Sequence, residues 1–168
     1  MKNTKKLTFS AVLSALAVAI MYIGAMLEVM DLSTAALASI FVMVILTELG
    51  AKYAFLSYAC IGVLSFLLLP TKIAAIVFIG FLGFYPMAKA FFERRFAGVV
   101  CLLLKFALLN ACMALMLLAM RYVMAEALWF EIMLLVLANV VFVVYDYALT
   151  TLLRAYVFVW RKKLKIKF

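Results

Sequence analysis

The feature that most constrains this chain is a succession of apolar stretches, each close to the thickness of a membrane in helical length. A helix rises ~1.5 Å per residue, so about 20 apolar residues cross ~30 Å of hydrocarbon. Such stretches can be drawn at residues 7–27, 32–47, 53–69, 73–92, 96–120 and 129–159. The second and third are short, and the last exceeds one membrane thickness, so it must tilt, bend or extend into the cytoplasm. With 72% of the residues hydrophobic, the polar remainder is too small to build a water-soluble surface. The expected fold class is all-α: a polytopic membrane helical bundle of about six transmembrane helices, forming a single integral-membrane domain over residues 1–168.

The charges fall at alternate ends of these stretches. With the N-terminus in the cytoplasm, alternation places Lys2, Lys5, Lys6, Lys52, Lys89, Arg94, Arg95 and the tail cations Arg161, Lys162, Lys163, Lys165 and Lys167 on the inner side. Only Lys72 and Arg121 fall clearly outside, beside Glu28, Asp31, Glu126 and Glu131. The positive-inside rule therefore predicts that both termini are cytoplasmic. The first stretch continues past the length of a signal-peptide apolar region without a small-residue cleavage site, so it is read as a retained span. The formal net charge of +9 does not point to nucleic acid. The basic tail directly follows a span, where it holds the anionic leaflet and fixes orientation.

Several chemistries are disfavoured. Cys60, Cys101 and Cys112 all lie inside predicted spans without a CxxC pair, and histidine is absent. No metal site, disulfide framework or cofactor is implied. The methionines are scattered through apolar helices, where packing accounts for them better than copper ligation does. A nucleophile paired with a base is not apparent, and an intramembrane metalloprotease would need histidine. Catalysis is the weaker class of reading. There is no Gly-rich phosphate loop, so energy from ATP would have to come from another chain.

In the first span Ala11, Ala15 and Ala19 recur every four residues, with Ser14 and Ala17 beside them. Such a face lets another helix backbone approach closely. An internal helix contact explains the pattern as readily as a partner does. The run Lys5-Lys6-Leu7-Thr8-Phe9-Ser10-Ala11, continuing through Ala15 and Ala19 in a small, basic, roughly six-span chain, resembles the substrate-binding S components of energy-coupling factor (ECF) transporters. That resemblance implies docking through the alanine face onto a transmembrane T subunit driven by two ATPase subunits. It also implies capture of a water-soluble vitamin or similar small-molecule nutrient at the outer side of a bacterial cell membrane. The short external connections and the lack of a vitamin-specific residue set depart from the family.

The candidate ligand residues are Tyr122, Glu126, Trp129, Phe130 and Glu131, which cluster before the last span. Aromatic faces can stack on a heterocycle while carboxylates orient a cationic group, favouring a thiamine-like or flavin-like ligand. Interfacial anchoring explains each residue singly as well. Deeper in the membrane, Lys105 and Asp146 lie at matching depths in the last two spans, and Asn110 and Asn139 match further outward. A neutralised pair with an amide contact that fixes register is favoured over a proton relay. Glu48 and Lys52 have the spacing of a helical ion pair, although Gly50 lies between them. Pro86, with Gly80 and Gly83, predicts a kink in the fourth span. Two alternatives to the importer stand: a cell-envelope assembly or scaffold protein of the MreD type, and, more remotely, a membrane enzyme acting on lipid.

Overall fold

A computed structural model describes the backbone of residues 2–27, 30–121 and 128–160, and the side chains of 4–27, 30–118 and 133–158. Among the described residues seven α-helices are seen: α1 (Lys2–Met26), α2 (Asp31–Leu49), α3 (Ala51–Leu68), α4 (Ile73–Val77), α5 (Tyr85–Arg95), α6 (Gly98–Arg121) and α7 (Leu128–Ala155). A π-helical turn, Phe78–Leu82, follows α4, and another, Tyr156–Trp160, follows α7. Among the described residues there is no strand. Residues 73–95 form one apolar span, and among the described residues six helices are long and apolar enough to cross a membrane. The chain is an all-α, multi-pass membrane protein whose helices satisfy their own backbone hydrogen bonds, as a bilayer interior requires.

The chain divides into two compact units, Met1–Ala88 with Thr151–Phe168, and Lys89–Thr150. In the first, α1, α2 and α3 pack against one another, and α2 and α3 also meet α4 and the π-helical turn after it. The buried stripe of α1 is Ser10, Ser14, Ala17, Met21 and Ala25, at the three- and four-residue steps that keep one helix face inward. Small side chains let the helices close up. A Cβ at Gly24 would fall 2.7 Å from Thr34 Cβ and nearer still to its Oγ1, so glycine is what permits α1 and α2 to approach there. The buried hydroxyls turn to nearby acceptors: Ser14 Oγ donates to the Ser10 carbonyl at 2.8 Å, and Ser65 Oγ lies 3.5 Å from Met21 Sδ.

Gly50 ends α2 and begins α3 with φ 93°, a left-handed value that glycine adopts at little cost. Glu48 and Lys52 therefore stand on two different helices, and the continuous turn that an i,i+4 pair needs is missing. Within the same unit the Tyr156 hydroxyl lies 3.4 Å from Glu48 Oε1.

The expected break in the fourth span takes the form of a π-helical turn. Pro86 has no N–H, and its ring crowds the preceding turn of an α-helix. The backbone responds by widening: Gly83 N–H reaches back five residues to the Phe78 carbonyl at 2.7 Å, and α5 restarts with Ala88 N–H on the Phe84 carbonyl at 3.2 Å. The Tyr58 hydroxyl donates to the Ile79 carbonyl inside this turn at 2.7 Å. A Cβ at Gly83 would lie 2.7 Å from both Phe78 and Tyr58 ring atoms, so the turn is held closely against α3.

Candidate functional site

The second unit holds a charged network within membrane-spanning helices. Lys89 and Glu93 come from α5, one turn apart; Lys105 comes from α6; Asp146 and Thr150 come from α7, again one turn apart. Lys89 has no exposed surface and Lys105 is 6% exposed. Lys89 Nζ pairs with Asp146 Oδ1 and also donates to the Asp146 carbonyl at 3.1 Å and to Thr150 Oγ1 at 2.8 Å. Lys105 Nζ lies 2.7 Å from Glu93 Oε1 and 3.2 Å from Asp146 Oδ2. Glu93 Oε1 is also 3.4 Å from Lys89 Nζ.

Two ammonium groups and two carboxylates thus share one site, and their formal charges cancel. In low dielectric that balance decides whether the site is tolerable, because an unpaired buried ion costs several kcal/mol. Asp146 bridges both lysines. Thr150 adds a hydroxyl to Lys89 while its own proton goes to the Asp146 carbonyl at 2.8 Å. Chemically the arrangement neutralises charge and ties α5, α6 and α7 together at one level.

Elsewhere in this unit the amides of Asn110 and Asn139 bond reciprocally, each Nδ2 donating to the other's Oδ1 at 3.1 Å. Each Nδ2 also donates one turn back along its own helix, to Phe106 and Leu135 carbonyls. All donors of the two side-chain amides are used. Between the amides and the charges in sequence, the rings of Phe106 and Phe142 meet edge to face with centroids 5.4 Å apart.

The structure brings Lys105 to Asp146 and Asn110 to Asn139. Sequence reasoning missed Lys89 and Glu93 as members of the same site, having assigned Lys89 to the cytoplasmic surface. A usable signal was present: Lys89 and Glu93 share one face of α5, as Asp146 and Thr150 share one face of α7. Lys89 also lies a turn short of Arg94 and Arg95, which end α5 where cations favour a helix C-terminus.

Ala11, Ala15 and Ala19 lie on the exposed side of α1, away from its buried stripe. Of the candidate ligand residues, Tyr122 and Glu126 lie outside the described residues, and so do the side chains of Trp129, Phe130 and Glu131, whose backbone belongs to α7. Cys60 is exposed, Cys101 buried and Cys112 half-buried, all with free thiols. Among the described residues no group of three His, Cys, Asp or Glu side chains comes together to hold a metal.

Comparison with protein-family models, with curated proteins and with solved structures returns no match. The class of protein therefore follows from the chain's own features: a multi-pass membrane protein with a neutral charge network among its last three spans, its two lysines buried and Glu93 exposed.

Proposed function

We propose that this chain is a non-catalytic docking subunit of a bilayer complex, and specifically the substrate-capture subunit of an ECF-type importer. In this reading it takes a water-soluble vitamin or similar small nutrient from outside the cell and releases it inside when a T subunit and two ATPases reorient it. The observation that carries the reading is the exposed face of Ala11, Ala15 and Ala19. The opposite stripe of α1 is occupied by packing within its own unit, whereas the alanines are not. A second helix can approach such a face to backbone contact distance, which a leucine would prevent. The nutrient site belongs to Tyr122, Glu126, Trp129, Phe130 and Glu131, at the opposite membrane face from both cytoplasmic termini.

The test is purification of the tagged full chain from its native membrane. The wild type is expected to bring a polytopic membrane chain and ATPase subunits with it. Ala15→Leu should lose them while the isolated chain keeps its fold. Trp129→Ala and Glu126→Gln should keep the complex and lose the bound small molecule. Absence of both an ATPase and a small molecule from the native preparation would end the importer reading.

A second reading, a cell-envelope assembly or scaffold protein of the MreD type, draws on the same exposed alanine face without a nutrient site. The charge network favours it, because a balanced cluster that fixes three helices suits a rigid scaffold. Co-purification of envelope-synthesis proteins in place of ATPases would select it.

A further inference from the structure

An apolar groove of about 430 Å³ opens in the first unit between α3 and the π-helical turn of the fourth span. Ala59 and Gly62 leave room at its floor, and Tyr58, Val63, Phe66, Leu67 and Ile79 complete it. Ile79 crosses so near that a Cβ on Gly62 would sit 3.0 Å from its Cγ1. The one hydroxyl in the lining, on Tyr58, donates to the Ile79 carbonyl. Everything else the groove offers is hydrocarbon.

Its length and a cation beside it define an occupant; the Asp31 carboxylate also stands nearby, 3.4 Å from Thr71 Oγ1. The nine residue steps from Tyr58 to Leu67 cover ~13 Å of helix, close to one leaflet's share of a ~30 Å hydrocarbon core. At the Leu67 end stands a cation. Lys72 Nζ lies 5.7 Å from the centre of the Phe66 ring and is held by the Phe66 carbonyl at 2.8 Å and the Leu69 carbonyl at 2.7 Å. These two bonds use two of its three N–H donors, and the residue is exposed.

We propose that this groove is a phospholipid site: one acyl chain lies along α3 from Phe66 to Tyr58, and the lipid phosphate takes the remaining donor of Lys72. Every outward apolar face of a membrane protein meets lipid. A site selects one lipid when a concavity gives the chain contacts on several sides and a fixed cation stands at headgroup depth. A lipid with net negative charge is preferred, since no ammonium group of its own competes with Lys72. The inference is independent of the importer reading and of the alanine face.

The test uses the purified full chain in detergent, titrated with dioleoyl-phosphatidylglycerol or dioleoyl-phosphatidylcholine, with bound lipids counted by native mass spectrometry. One phosphatidylglycerol per chain is expected, held about fivefold more strongly than phosphatidylcholine, the worth of one lysine at a membrane surface. Ala59→Phe fills the groove from an exposed position and leaves Lys72 intact; Lys72→Gln removes the charge and leaves the groove intact. Each should lower phosphatidylglycerol retention by a similar factor, and Lys72→Arg, which keeps the charge, should restore it. Equal retention of the two lipids, or wild-type retention by Ala59→Phe, overturns the site. So does a protein chain from native membranes that Ala59→Phe displaces while the lipid count is unchanged.

Discussion

At the scale of single residues, charge balance governs what substitutions do. Removing Asp146 leaves Lys89 and Lys105 with Glu93 alone, a net positive cluster within the spans, whereas removing Lys105 leaves the cluster net negative. Either change strands a charge, and breaking a buried pair costs about 3–5 kcal/mol. The double variant Lys105→Met with Asp146→Leu restores neutrality, because Lys89 and Glu93 remain as a pair along α5. Thermal unfolding in detergent should therefore show each single variant destabilised more than the double. Asp146→Leu should be the worst of the three, since two lysines depend on Asp146. Strictly additive losses would show that the two side chains do not share a site. The reciprocal amide bonds of Asn110 and Asn139 follow a milder version of the same rule, with an unpaired amide in place of an unpaired ion.

At the scale of elements, close approach and backbone repair shape the helices. Gly24 faces Thr34 where α1 meets α2, and any side chain there must displace Thr34. Gly24→Ala is expected to lower stability by about 1–3 kcal/mol, the usual cost of overpacking. Ala15→Leu, on the exposed side of the same helix, should stay within about 0.5 kcal/mol of the wild type. Chemical denaturation of the isolated chain measures both. An unchanged Gly24→Ala would mean that the helices are not in contact at Gly24, and a collapsed Ala15→Leu would place the alanine face in the internal core. In the fourth span the proline's missing donor is absorbed by a π-helical turn, which adds room in the backbone where a sharp break would expose carbonyls to hydrocarbon.

At the scale of the whole molecule, orientation follows from cations that the spans do not bury. Lys89 is taken out of that count by its burial, yet Lys5, Lys6, Lys52, Arg94, Arg95 and the tail still outnumber Lys72 and Arg121. Cysteine labelling of a variant lacking Cys60, Cys101 and Cys112, with single cysteines at Asn3 or Lys165, should require permeabilised cells at both positions. Labelling of intact cells at either position would reverse the topology.

The sequence by itself determined the fold class and the number of spans, because length and apolar character are local properties and a bilayer admits few ways of satisfying a backbone. It also marked Lys105 with Asp146 and Asn110 with Asn139, since depth along antiparallel helices can be counted in residues. Only the tertiary structure decided which faces turn toward one another. A helix rich in apolar residues all round carries little directional pattern when its solvent is as apolar as its core, so Ala11, Ala15 and Ala19 gave no sign of lying outward while Ser10 and Ser14 lie inward. For the same reason Lys89 read as a surface cation: one turn of helix separates it from the exposed arginines that end α5, and only the packing of α6 and α7 in its unit converts that position into the centre of a charge network.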